Sequence, residues 1–368
     1  MRIAFFHELH SGGARRASNE FAKHLKKNNI VDLYFVDEKP NNNEKKFYSS
    51  IFYFQFMPKI WKGNNPGARF YKDTIELIKL YKFHKKIAKT IDKNNYDIVF
   101  IQGSKFTQAP FILRFLKTKK IYYCQENLRM VYEKILDIDK KLPVHKYFYE
   151  KLNRYLRKLI DASNIHHADK VLTNSNYTKE NVYKAYGIRA QTCYMGVNTQ
   201  LFKPEKVAKE NDVLYIGAYA IADGYADLEK ILAFPHKYKI SLLIQERKWI
   251  DNDKLLSKLY SKSKIALAMS YNEPFGLIPL EAMACGVPVI AVNEGGYRES
   301  IIDGKTGFLV QRDAKKISEK IGYLLGNNNV LKQMSGKCRE NILKKWTWKL
   351  NAAKLEKILN NFAKDSYE

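Results

Sequence analysis

One stretch, Tyr271 to Val292 (YNEPFGLIPLEAMACGVPVIAV), restricts the fold of this chain more than any other. An apolar strand pattern, KIALAMS at 264–270, runs into it. A Pro-Phe-Gly turn, a short apolar helix pattern and a Gly-Val-Pro stop follow, and Val287 to Val292 reads as a second strand. Strand, loop, helix, turn and strand make one βαβ unit, which places the chain in the α/β class with a parallel sheet.

The unit also carries chemistry. With a helix starting near Phe275 and Gly276, unpaired backbone N–H groups face the space above the strand ends and suit an anion. Glycine at 276 lets a phosphate approach the main chain. Glu273 precedes the helix, and Glu281 lies nearly two turns further on, roughly on the same face. Like charges repel, so these acids do not bind the phosphate themselves; they suit hydroxyl groups, one on a ribose and one on a sugar. Each such charged hydrogen bond is worth roughly 1.5–3 kcal/mol. Solvated surface acids would share the spacing, but Glu281 sits inside the apolar run LIPLEAMACG, where burial is the natural reading.

The longer string EPFGLIPLEAMACGVPVIAVNEGGYRESIIDGKTGFLV resembles the donor-site signature of the family 4 retaining glycosyltransferases. That signature has two glutamates separated by seven residues, then G-x-P-V-I, G-G-x-x-E and D-G-x-T-G-x-L-V. The resemblance continues more thinly over nearly the whole chain. It implies a GT-B fold, with two Rossmann-like domains facing each other across a cleft.

Length agrees: 368 residues suit two domains of about 180. Strand patterns at Ile3–Phe6, Val31–Val36, Ile51–Phe56, Asp97–Gln102, Lys120–Cys124, Lys170–Thr173 and Gln191–Met195 alternate with helix patterns in the first half. The second half repeats the alternation at Val213–Gly217, Lys239–Gln245, Lys264–Ser270, Val287–Val292 and Gly307–Val310. The expected division is 1–196 for an acceptor-side domain and 197–345 for a donor-binding domain. A last helix over 346–368 resembles the one that returns to the first domain in this fold. Gly12 and Gly13 follow the first strand and feed the helix pattern of Ala14–Lys26. They lack GxGxxG, so no dinucleotide fingerprint is present, but they resemble the family's G-G-A loop, which faces the donor phosphates.

Composition narrows the partners. Cys124, Cys193, Cys285 and Cys338 are scattered with no CxxC and no clustered histidine, so neither a disulfide framework nor a zinc site is expected. A reducing, cytoplasmic setting is the default. No apolar run approaches the roughly 20 residues of a membrane span, and the first apolar run is too short for a signal peptide. The net charge of +26 attracts anionic surfaces. Lys79, Lys82, Lys85, Lys86, Lys89 and Lys93 recur at helical spacings, and 140–158 combines lysines and arginines with Tyr147, Phe148, Tyr149 and Tyr155. Such helices suit the inner face of an anionic membrane. No basic recognition motif supports nucleic acid.

Three positions depart from the family pattern. Relatives carry an arginine and a lysine for the donor diphosphate after the first strand of the second domain. Here GAYAIADGYADL puts Ala218 and Asp223 there, leaving Arg247 and Lys248 as the nearest substitutes. The segment between Gln245 and Lys264 is too short for the strand the family usually places beside the base pocket. Relatives also carry a histidine facing the acceptor; YYCQENLR puts Gln125 there, which hydrogen-bonds but carries no proton at neutral pH.

The resemblance implies transfer of a hexose from a nucleotide-diphosphate sugar to a glycan or lipid-linked acceptor, with anomeric retention and neither metal nor cofactor. Glu273 and Gln125 are the implied catalytic residues. Gly12, Gly13, Glu273, Phe275, Gly276, Leu277, Glu281, Arg247 and Lys248 are the implied donor-binding set. A sugar- or partner-binding scaffold whose catalysis has lapsed is the alternative.

Overall fold

The computed structural model describes residues 1–10, 12–36, 44–59, 66–217, 221–233, 239–244 and 252–364. Among the described residues, twelve strands form two all-parallel sheets, one in each half of the chain. The first holds β1 (Arg2–Glu8), β2 (Ile30–Val36), β3 (Ser50–Phe54), β4 (Ile98–Ser104), β5 (Lys120–Cys124), β6 (Lys170–Thr173) and β7 (Gln191–Thr192), in the order β3-β2-β1-β4-β5-β6-β7. The second holds β8 (Asn211–Gly217), β9 (Ile240–Ile244), β10 (Ser263–Ala268), β11 (Val289–Val292) and β12 (Gly307–Val310), in the order β12-β11-β10-β8-β9. In both sheets the strand order reverses beside the first strand, which is where such folds open a crevice at the strand C-terminal ends.

Both faces of the first sheet are covered, so its strands are apolar at successive positions rather than alternate ones. Ile3 and Phe5 of β1 pack into one buried cluster, and Ala4 and Phe6 pack into a second on the opposite face. Helix Gly13–Leu25 covers the first cluster through Phe21 and Leu25, and helix Ile75–Asp92 covers the second through Leu80 and Ile87. The lysine-rich helix 75–92 is thus an ordinary core helix along one face, with its lysines on the other.

The C-terminal helix, Trp348–Lys364, lies against helix 13–25. The Trp348 ring meets Phe21 edge-on at 5.1 Å, and Glu356 accepts from the side chains of Asn28 and Asn29 at 3.2 and 2.8 Å. Gly196 sits under this crossing, where an added Cβ would fall 2.5 Å from the Trp348 nitrogen. Between β9 and β10 the described residues form a helix, Asp253–Ser261, and no further strand. Among the described residues no helix is long and apolar enough to cross a membrane.

Candidate active site

The βαβ stretch folds as β10, a loop, helix Leu277–Ala284 and β11. The helix starts at Leu277, slightly later than the sequence pattern suggests, because Gly276 takes φ +89° as its N-cap. Tyr297 occupies the space a side chain at 276 would need, with an added Cβ 2.6 Å from its ring. The pair Gly295–Gly296 has the same steric cause. The backbone of Glu273 and Pro274 packs directly on it, with Glu273 O only 2.3 Å from a Cβ at 295, and Gly296 N–H donates to that oxygen at 2.8 Å.

The last residue of the G-G-x-x-E motif pins the two halves together. Glu299 accepts the N–H groups of Asn176 and Tyr177 at 2.9 and 2.8 Å, at the start of helix Asn176–Tyr186, and the Tyr194 hydroxyl at 2.7 Å. A carboxylate at a helix N-terminus satisfies orphan donors and complements the helix dipole. Ser175, the N-cap of that helix, donates to Pro274 O at 2.5 Å. Loop 273–275 is therefore fixed from both sides.

Between the halves lies a cavity of about 320 Å³, into which Gly13, Gln125, Glu273, Gly276, Leu277 and Glu281 all face. Phe275 lines it too, its ring packed near Tyr194 and Trp346. Gly12 adopts φ +147° as the N-cap of helix 13–25 but does not itself line the cavity. Close approach matters here: a Cβ at Gly13 would come within 3.2 Å of Leu277 from the opposite half. Gln125 donates to Gln102 at 2.8 Å. Arg247, Lys248 and Ala218 lie outside the described residues. Asp223 lines the cavity, so the position the family gives to a lysine presents an acid to it.

The two glutamates differ in setting. Burial pushes the Glu273 carboxyl up to about 7; Arg129 opposes this, Glu126 and Asp223 add to it, and the Gly276 N–H bonded to the carboxylate lowers it. One of the amides expected for an anion is thus engaged by Glu273 itself. Glu281 is 3% exposed and raised by burial, but it is paired. Arg16 reaches it from the other half, Tyr260 donates to it at 3.1 Å, and Arg16 also holds Asp253 at 2.8 Å.

The folded pKa of Glu273, about 7, exceeds the ordinary 4.5. Its contribution to stability is full below the ordinary value and is lost as pH rises through about 7. Melting temperature of the native chain should fall over that window relative to Glu273→Gln. Parallel curves would contradict the burial of this carboxyl.

Arg16 and Arg129 join the site beside the residues that the sequence implies. Arg129 follows β5, donates to Tyr271 O in the other half at 2.8 Å, and pairs with Glu133 at 2.9 Å. Among the described lining residues these two are the arginines and lysines, against Glu126, Asp223, Glu273 and Glu281. Among the described residues, positive charge on the cavity wall comes from the N-terminal half. For Arg16, its place on the third residue after Gly13, on the same helix face, is a signal that could have found it. No group of acids, histidines and cysteines among the described residues is arranged to hold a metal ion.

Residues 11–201 match the model of Glycosyltransferase Family 4, and residues 245–342 match that of Glycosyl transferases group 1. The chain belongs to glycosyltransferase family 4. Its relatives include the trehalose synthase of Pyrococcus horikoshii, 42% identical over 27% of this chain and 24% of that protein. The D-inositol 3-phosphate glycosyltransferase of Corynebacterium diphtheriae is 31% identical over 40% of this chain and 33% of its own length. A glycosyltransferase of Methanocaldococcus jannaschii is 29% identical over 49% of this chain and 56% of its length. The chain therefore spans between a quarter and little more than half of these relatives. In fold the likeness extends over nearly the whole chain: sucrose-phosphate synthase of Thermosynechococcus elongatus superposes with a TM-score of 0.74 at 17% identity, over 98% of both chains. HepE of Anabaena, solved with UDP and glucose, gives 0.71 at 15%, over 98% of this family 4 chain and 99% of HepE. The fold is GT-B, as the sequence implied.

Proposed function

We propose that this family 4 chain transfers a hexose from a nucleotide-diphosphate sugar to a hydroxyl of a glycan or lipid-linked acceptor. The observation that carries the reading is the meeting of Glu273, Glu281, the Gly13 loop and the first turn of helix 277–284 around one interdomain cavity. Glu281 holds the ribose hydroxyls, and Glu273 holds the sugar hydroxyls. Bond cleavage leaves charge on the diphosphate, which preorganised donors stabilise. Main-chain amides at the start of helix 277–284 and at Gly12–Gly13 supply part of that. With Asp223 where a cation is usual, Arg16 and Arg129 are the described cations that meet the rest. The acceptor oxygen attacks from the side of the departing phosphate, which takes the acceptor proton. Retention follows, and neither a histidine nor a metal is required. Closure of the halves excludes water.

Thermal stabilisation by a panel of nucleotide sugars, followed by NMR of the product anomer, tests this. Stabilisation and a retained anomer are expected; no stabilisation by any nucleotide sugar contradicts the reading. Asp223 favours a second reading, a scaffold that binds sugar without transfer. Donor binding with no turnover on any acceptor would establish it, and Asp223→Lys would then raise affinity rather than leave it within about threefold.

We also place the protein on the inner face of an anionic membrane. Helix Val144–Ile165 leaves Val144, Phe148, Leu152, Tyr155, Leu156 and Leu159 exposed by 48–71% in one row at helical spacing. Lys140, Lys141, Lys146, Lys151 and Lys158 accompany it. An apolar row with a cationic rim inserts at the headgroup boundary. Flotation with liposomes containing anionic lipid should recover the native chain, and Phe148→Ser with Leu152→Ser should lose most of it. Equal recovery on neutral liposomes would remove the charge from the explanation.

A further inference from the structure

A second cavity, of about 360 Å³, opens at the same end of the N-terminal sheet. It is displaced from the first by one or two residues along two strand ends. Leu9 and Gly103 line the interdomain cavity, while His10 and Lys105 line the second. Its floor is apolar, with Phe56, Leu77, Leu80 and Phe106. Around that floor stand Lys72, Lys105 and Arg157, with Glu76 as the acid among the lining residues.

The charged groups here are held in place. Arg157 reaches in from helix 144–165, bonded to Asp73 at 2.5 Å and to Phe106 O at 2.9 Å. Asp73 also accepts from Tyr149 at 3.0 Å and Asn153 at 3.1 Å, so the guanidinium is anchored from behind. Glu76 Oε1 accepts the backbone N–H of Lys59 at 2.5 Å. Beneath, Glu8 is bonded to the buried ring of His84 at 2.7 Å. Burial lowers Lys105, with Glu8 opposing. A partly desolvated ammonium gains more from an added anion than a solvated one does.

We infer that this cavity is an acceptor subsite for a phosphate group, whose attached chain or ring lies on the apolar floor. The inference rests on the transferase reading, since the adjoining cavity would hold the donor. The phosphate ester is the shared chemistry; it arrives on a lipid or on a soluble sugar. The wall helices 75–92 and 144–165 carry exposed apolar side chains, Ile78 on one and Phe148 and Leu152 on the other, which suits a lipid source.

Calorimetry with dodecyl phosphate, glucose 6-phosphate and neutral dodecyl glucoside, each below its aggregation limit, tests it. At least one phosphate should bind, roughly tenfold more tightly than the neutral amphiphile. Lys105→Ala and Lys105→Gln should each weaken it about tenfold. Binding of dodecyl phosphate alone assigns a lipid source, and binding of glucose 6-phosphate alone a soluble one; either supports the subsite. Equal binding of phosphate and neutral probes, no phosphate binding, or unchanged affinity in both variants overturns it. Thermal stabilisation by nucleotide sugar is measured on the same proteins. If it persists while the phosphate probes fail, only the subsite is wrong; if the Lys105 variants lose it too, the effect is not confined to this cavity and the subsite is again overturned.

Discussion

Glu273→Gln is expected to lower turnover by about 10²-fold while donor affinity changes far less. The carboxyl lies on the cavity wall beside Arg129, held by the Gly276 N–H, and its loop is clamped by Ser175 on one side and Gly296 on the other. A group fixed so firmly costs no reorganisation when charge develops on the sugar and diphosphate. Glutamine keeps the size and one acceptor but removes the charge, so the loss appears mainly in kcat. The fold is not weakened, because an acid raised to about 7 by burial gives way to a neutral amide. Steady-state kinetics with melting curves at pH 8 check both halves. A turnover unchanged within threefold would remove Glu273 from the chemistry.

Gly295→Ala should be as damaging to activity without touching a functional side chain. Gly295 has φ +57°, and its new Cβ would sit 2.3 Å from Glu273 O and 2.8 Å from Glu273 N. The left-handed backbone alone costs roughly 1–2 kcal/mol for a non-glycine residue. The contact is with main chain, so the loop must move. A shift on the order of 1 Å can cost about 10²-fold in rate. Expected together are a lower melting temperature and a comparable loss of kcat. Native kinetics in a folded Gly295→Ala protein would show that the placement of Glu273 is not what this glycine secures.

Much of this was legible in the chain. Among the described residues the strands fall close to the apolar runs between turn signals, because the central strands of both parallel sheets are covered and apolar; at the edges of the first sheet β3 is largely exposed and β7 is only Gln191–Thr192. Glu273 and Glu281 share one wall because Glu273 lies in the loop just before helix Leu277–Ala284 and Glu281 within it, one turn past its Gly276 cap. Helical spacing puts Arg16 on the face of Gly13, but its pairing with Glu281, 265 positions away, has no local signal. Arg129 likewise meets Tyr271 across 142 positions. The role of Glu299 was hidden for the same reason: the donors it satisfies belong to a helix in the other half. Helix 144–165 read as basic and aromatic, but periodicity cannot say whether a partner covers its apolar row. Only the packing shows Phe148 and Leu152 left in the open.

The most direct test is calorimetric binding of a nucleotide-diphosphate sugar to the native protein and to Glu281→Gln. Glutamine at 281 leaves Arg16 its second partner, Asp253, so melting temperature should stay within a few degrees. Loss of one charged hydrogen bond to the ribose should weaken binding about tenfold or more. An unchanged Kd in the folded variant would contradict the central claim that this acid grips the donor.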